Sequence, residues 1–313
     1  MARKTAMLSP LPSTEPAAPS VLALFGPTGV GKTELALAVA ERLRARGADP
    51  VAVSADALQV YRGLEILSGA ASPQDRRRLE HRLVGILPID ATFSVAQYAR
   101  LAHAEIDALL GAGRTPIVVG GTGLYLRAAL AELELRPPPA PGVRERLLAD
   151  VDARGAEVVH AELAARAPRV AAAVDPRDRH RLVRALELEA QGVAAEPPAE
   201  SRLWTSDTRH PTRLIALTMD RAALHARIDA RVDAMVAAGA AQEARAADAA
   251  GASPTARKAL GFAALLDGDV ERMKTQTRQY ARRQLTWLRK LPGVEHVDLT
   301  GRDPGDVAAE LVG

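Results

Sequence analysis

Eight consecutive residues, Gly26-Pro27-Thr28-Gly29-Val30-Gly31-Lys32-Thr33, match the pattern G-x-x-x-x-G-K-[ST]. The chemistry of such a loop is a phosphate grip. Its glycines let backbone N–H groups converge on phosphate oxygens, and a helix beginning at its end adds positive potential. Lys32 supplies a point charge for the terminal phosphate, and the Thr33 hydroxyl is a ligand for Mg²⁺. The pattern specifies a diphosphate or triphosphate and leaves open which molecule carries it.

Other residues narrow the chemistry. Asp56 follows the apolar run Val51–Ser54, and a carboxylate at a strand end faces the ligand crevice of a doubly wound sheet. It could bind metal, act as a base, or simply cap a turn. A kinase would carry an acidic residue after another core strand to hold Mg²⁺. Here the run Ile117–Val119 ends in Gly120-Gly121-Thr122-Gly123, without a carboxylate. Two basic clusters stand apart from the phosphate grip. Lys274, Arg278, Arg282 and Arg289 share one sector at helical spacing, away from Tyr280, Leu285 and Leu288. His180, Arg181 and Arg184 form the other, with Glu187 reading as a helix-surface partner of Arg184. His103, His160 and His225 are isolated and lack metal-ligand spacing.

These residues need elements to position them. Val21–Phe25 reads as a buried strand, and Leu35, Val39 and Leu43 mark one face of a helix over Thr33–Arg46. Val51–Ser54 and Ile117–Val119 are further strands, with a helix opened by a Ser94/Gln97 capping box and running to Leu110. That order implies a parallel sheet covered by helices on both faces. Pro137, Pro138, Pro139 and Pro141 break it, an Ala/Arg/Glu-rich helical stretch follows to Gln191, and Gly192–Ser201 is loose. Leu214–Leu217 rejoins the sheet, followed by helices over Ala222–Ala238 and Val270–Leu291. The expected class is α/β: a P-loop NTPase-like parallel-sheet core, 21–136 with 208–313, interrupted by a helical insertion, 137–207. Residues 1–20, with Pro10, Pro12, Pro16 and Pro19, read as a disordered leader.

Composition bounds the rest. The 313 residues are 48% hydrophobic but only 3% aromatic, so aliphatic side chains must fill the core. No cysteine is present, which excludes disulfides and thiolate chemistry and suits a reducing compartment. No apolar run approaches the roughly 20 residues of a membrane span. A net charge of +3 permits nucleic-acid binding without arguing for it.

Taken in order, the pieces resemble the bacterial tRNA dimethylallyltransferases, also called tRNA isopentenyltransferases. They are Gly26–Thr33; Ser54-Ala55-Asp56-Ala57-Leu58-Gln59-Val60-Tyr61-Arg62-Gly63; His81-Arg82-Leu83; Val119-Gly120-Gly121-Thr122-Gly123-Leu124-Tyr125-Leu126; Arg181-Leu182-Val183-Arg184-Ala185-Leu186-Glu187; and the string from Thr277 through Arg283-Gln284-Leu285-Thr286-Trp287 to Arg289. Two departures stand out. Ala57 replaces a usual serine, and Leu64–Ser72 replaces a segment that usually contains a lysine. The resemblance implies that the loop holds the diphosphate of dimethylallyl diphosphate, with Mg²⁺ assisting, and that the acceptor is N6 of the adenosine 3′ to the anticodon. It assigns Asp56 as general base and Thr28, Lys32, Thr33 and Arg231 to the diphosphate. Thr122 goes to the target nucleotide. The tRNA anticodon stem-loop is assigned to Ala57, Leu58, Gln59, Arg144, His180, Arg181, Leu182, Val183, Arg184, Lys258, Arg278 and Arg282. Nothing in the sequence demands more than a monomer, and the expected location is the cytoplasm.

Overall fold

A computed structural model of the chain describes residues 21–140, 142–193, 195 and 202–313. The leader expected over 1–20 lies outside the described residues, as do Pro141 and most of the loose stretch near residue 200.

Six strands form one sheet in the order β3-β2-β4-β1-β5-β6: β1 (Val21–Phe25), β2 (Pro50–Ser54), β3 (His81–Arg82), β4 (Thr115–Gly120), β5 (Thr212–Thr218) and β6 (Glu295–Asp298). Every pairing is parallel. Parallel strands need long crossovers, so helices cover both faces and the central strands are buried on both sides. Strand β1 shows the alternation. Val21, Ala23 and Phe25 enter one core, and Leu24 enters the other.

The helices are α1 (Lys32–Ala45), α2 (Pro73–Arg78), α3 (Val95–Gly111), α4 (Gly123–Leu130), α5 (Val143–Arg154), α6 (Ala156–Arg166), α7 (Pro168–Ala172), α8 (Arg179–Ala190), α9 (Arg221–Ala237), α10 (Ala240–Ala249), α11 (Phe262–Leu266), α12 (Val270–Leu288) and α13 (Pro304–Val312). Leu35 and Val39 of α1, Leu224 and Ile228 of α9, and Val307 of α13 fill the core on one face of the sheet. Tyr98 and Ile106 of α3 and Leu126 of α4 fill the other, with Phe262 of α11 and Met273 of α12. Helix α3 begins with the capping box read from the sequence: Ser94 accepts from the Gln97 backbone, and the Gln97 side chain accepts from Ser94.

Helices α5 to α8 carry a core of their own, built on Val151, Leu163, Leu182 and Val183. Beneath it Glu187 departs from expectation. Its side chain is fully buried, and it accepts hydrogen bonds from both Arg144 and Arg184 at 2.9 Å. Helix α5 brings Arg144 across α8, and a buried carboxylate is stable there only because both guanidiniums meet it. Strands β3 and β6 escaped the sequence reading because both are short, charged edge strands without an apolar run. Among the described residues no helix is long and apolar enough to cross a membrane.

Candidate active site

The strand C-termini converge, as a doubly wound sheet requires. The turn from β1 to α1 holds Gly26–Thr33, and Gly31 is the N-cap of α1 at φ 107°, a conformation that favours glycine. The Lys32 ammonium folds over the loop and donates to the carbonyls of Gly26 and Pro27, both at 2.9 Å. Burial, with the neighbouring Arg231 charge, lowers its pKa to about 8. Val30 is buried in the core beneath the loop, so its side chain serves packing.

Asp56 lies in the loop after β2. Its Oδ1 accepts from the Leu58 N–H at 2.9 Å. Burial raises its pKa above the ordinary carboxylate value, opposed by the Leu58 and Gln59 N–H groups and by Lys32 and Arg231. A carboxyl in this position is more basic than a solvated one, a property suited to accepting a proton. Arg231 projects from α9 into the same space. It donates to the Gly69 carbonyl at 3.3 Å, while its buried Nε has no partner. Burial lowers its pKa. A half-buried guanidinium with donors to spare is poised for an anion. Thr122 is the N-cap of α4 but makes no side-chain capping bond. Its hydroxyl lies 3.1 Å from the Tyr280 hydroxyl instead.

These groups line one cavity of about 380 Å³, whose walls include Thr28, Lys32, Thr33, Asp56, Thr122 and Arg231. Its other side is apolar, with Leu58, Leu67, Val232, Met235, Leu260 and Met273, and Lys258 stands at it as an exposed cation. Ala57 and Leu58 also line it. A second opening, lined by Thr28, Lys32, Thr33, Glu34, Arg227 and Arg231, leads from the phosphate loop outward. Among the described residues no cluster of three or more histidines and carboxylates could hold a metal. Thr33 offers a hard oxygen beside the phosphate loop, which fits a Mg²⁺ held mainly by substrate phosphates and water.

Packing shows where the residues expected to meet tRNA are placed. The Gln59 amide faces inward, accepting from Ser54 at 2.8 Å and donating to the Gly69 carbonyl at 3.3 Å. Leu182 and Val183 are buried in the insertion core, so a nucleic acid could reach only their backbone. Arg144 and Arg184 are engaged by Glu187, whereas His180 and Arg181 are exposed. The α12 sector is not a free basic face. Arg278 pairs with Asp229 at 2.6 Å and Lys274 with Asp233 at 2.8 Å, both carboxylates of α9. Arg282 and Arg289 remain exposed.

The divergent Leu64–Ser72 segment has its own supports. Glu243 of α10 accepts from the N–H groups of Ile66 at 2.9 Å and Leu67 at 2.7 Å. A Cβ on Gly69 would lie 1.8 Å from the Arg231 guanidinium, so the glycine leaves room for that side chain. Tyr280, Gln284 and Gly69 are site residues to which sequence reasoning gave no role. Tyr280 and Gln284 stand in a string that marks the family, but neither an uncharged polar residue in a helix nor a lone loop glycine shows by itself what it will meet.

With this geometry in view, the relatives can be placed. The sequence model of a family described as IPP transferase matches residues 59–291. A tRNA dimethylallyltransferase of Thermobifida fusca is 39% identical over 305 residues, covering 94% of each chain. One of Streptomyces coelicolor is 40% identical over 294 residues, covering 90% of this chain and 91% of its own. Among solved structures, the full-length tRNA isopentenylpyrophosphate transferase of Bacillus halodurans superposes with a TM-score of 0.67 at 31% identity, covering 94% of both chains. The chain belongs to the IPP transferase family.

Proposed function

We propose that this chain transfers the dimethylallyl group of dimethylallyl diphosphate to N6 of the adenosine 3′-adjacent to the anticodon in tRNA. The observation that carries the reading is the meeting, in one cavity, of a phosphate loop with two half-buried cations and a carboxylate made basic by burial. The diphosphate sits against the loop amides, Thr28, Lys32, Thr33 and Arg231. The Thr33 hydroxyl is the group that would hold a Mg²⁺, which would supply further charge neutralisation for the leaving group. The adenine N6 attacks C1 of the dimethylallyl group, and the C1–O bond breaks with its electron pair going to the diphosphate. The N6 proton passes to Asp56. A positioned base of this kind contributes about 10²–10⁴-fold, and preorganised oxyanion donors contribute roughly 3–4 kcal/mol each.

The adenine must leave its stack to reach the cavity, at a cost of a few kcal/mol that is smallest in a single-stranded loop. Thr122 and the apolar wall of Leu58, Met235 and Leu260 receive it. His180, Arg181, Lys258 and Arg282 are the exposed groups available to the anticodon stem-loop. Arg144 and Arg184 act by holding Glu187 and hence the insertion. Every group in this scheme comes from one chain, so a monomer suffices, and the substrate is a cytoplasmic RNA. A kinase reading lacks its carboxylate, since β4 ends at Gly120 and runs into Gly121.

Alkyl-labelled dimethylallyl diphosphate, incubated with unmodified tRNA and Mg²⁺, should leave label on the adenosine beside the anticodon after nuclease digestion. Label absent from tRNA, together with ATP-dependent phosphorylation of a small acceptor, would sink the reading in favour of a kinase.

Two further outcomes are expected. First, kcat/KM for the donor should be bell-shaped in pH. Asp56 must be ionised to take a proton, so activity falls as pH drops through its raised pKa, and this acid limb should vanish in Asp56→Asn. Lys32 must be protonated, so the basic limb falls near pH 8. A profile flat from pH 7 to above 9 would exclude the Lys32 assignment, and an acid limb unchanged in Asp56→Asn would exclude that of Asp56. Second, Gly69→Ala should push Arg231 off its seat and raise the donor KM about tenfold while sparing tRNA affinity. A donor KM equal to that of the wild type would remove Arg231 from the diphosphate site.

A further inference from the structure

In the wall of the cavity, one uncharged side chain ties together the loops that the reaction uses. Gln284 of α12 is buried, 4% exposed. Its Oε1 accepts from the Thr28 N–H of the phosphate loop at 2.8 Å. Its Nε2 donates to the Gly121 carbonyl, beyond the end of β4, also at 2.8 Å. The fit is close. A Cβ on Gly121 would lie 2.3 Å from Gln284 Nε2, 3.2 Å from the Gly26 carbonyl and 3.4 Å from Lys32 Nζ. The phosphate loop, the Gly120–Gly121 turn and the amide therefore touch without a spare ångström. One helical turn earlier, on the same face of α12, Tyr280 meets Thr122.

We infer that Gln284 is a positioning residue for the donor: it holds the phosphate loop in its diphosphate-binding shape and keeps that loop in register with Gly121 and Thr122. This rests on the reading that the loop binds the donor's diphosphate. The physical basis is the fork of the carboxamide. Only a side chain with an acceptor and a donor a fixed distance apart satisfies an N–H on one loop and a carbonyl on another at once. Remove it, and the buried Gly121 carbonyl and the half-buried Thr28 N–H lose their partner. The phosphate loop is then free to relax, and the cost falls on the ligand that needs its convergent amides. Tyr280 and Gln284 together make one helix face the ruler between donor and acceptor. That same helix carries the exposed Arg282 on another face.

The test uses the full-length enzyme. Gln284→Met keeps the bulk and removes both hydrogen bonds. Gln284→Asn keeps the amide on a stem one methylene too short to reach both loops, and it decides the matter should the methionine variant not fold. Folding is checked by circular dichroism. Binding of inorganic diphosphate with Mg²⁺ is measured by equilibrium dialysis, and steady-state KM values are taken for dimethylallyl diphosphate and for tRNA. The expected result is an increase of about tenfold in the diphosphate dissociation constant and in the donor KM for Gln284→Met, with the tRNA KM unmoved. Gln284→Asn should shift in the same direction. A folded variant that binds diphosphate as tightly as the wild type would overturn the proposal. So would a rise in the tRNA KM alone. Were the wild type to transfer no dimethylallyl group, the functional reading would fall, yet the diphosphate comparison would still decide for or against Gln284.

Discussion

Asp56→Asn should lower the rate of dimethylallyl transfer by about 10²–10⁴-fold while leaving diphosphate affinity unchanged or slightly improved. The substitution is nearly isosteric. The carboxamide oxygen can still accept from the Leu58 N–H, so the loop after β2 keeps its shape. What disappears is the site for the N6 proton. Loss of the negative charge also frees Lys32 and Arg231 from a competing partner, since both feel the Asp56 carboxylate. An anion should then bind no worse. The two readouts separate the roles left open by sequence. A base loses rate and keeps donor affinity, whereas a metal ligand loses donor affinity along with Mg²⁺ dependence. Single-turnover measurement with saturating donor gives the first quantity, and equilibrium dialysis of labelled diphosphate gives the second. A variant that turned over within a few-fold of the wild type would return Asp56 to the role of a loop cap.

Lys32→Met should do the reverse. Its kcat/KM for the donor is expected to fall about 10²–10³-fold, the usual cost of removing one preorganised donor from an oxyanion site. Most of that loss should appear in donor binding, because the diphosphate carries full charge in the ground state as well as in the transition state. The ammonium donates to the Gly26 and Pro27 carbonyls, which hold it over the loop. Lys32→Arg should not restore activity. A planar guanidinium cannot replace a compact ammonium within that loop. Equal donor KM in Lys32→Met and wild type would show that the loop does not grip the diphosphate.

The parts of this site legible in sequence are those where the backbone itself must approach a ligand or another backbone. Glycines and a lysine at fixed spacing announced the phosphate loop, and Gly120–Gly121 is glycine because a Cβ at residue 120 would lie 2.2 Å from the Ala55 carbonyl. Strands buried on both faces were equally readable, since packing leaves them continuous apolar runs. Long-range pairing was not readable. Arg227 and Arg231 stand one turn apart on α9 and look alike in sequence. Only the fold turns Arg231 under the Gly69 loop while Arg227 donates to the Gly29 carbonyl outside. A helical wheel grouped Lys274 with Arg278 correctly but could not show that α9 presents Asp233 and Asp229 to that sector. Glu187 looked like a surface partner because its second arginine lies on another helix. Gln284 stands in a string that marks the family, but its role was hidden for the same reason: both its partners lie more than 160 residues away, at separations of 256 and 163.

The claim on which the rest depends is that the phosphate loop retains the diphosphate while the hydrocarbon leaves. Donor carrying ¹⁴C in the dimethylallyl group and ³²P in the diphosphate, incubated with enzyme, Mg²⁺ and unmodified tRNA, tests it in one reaction. The expected result is ¹⁴C on tRNA adenosine in equal amount to ³²P released as inorganic diphosphate. Finding ³²P on any acceptor, or release of ³²P without ¹⁴C in the tRNA, would contradict it.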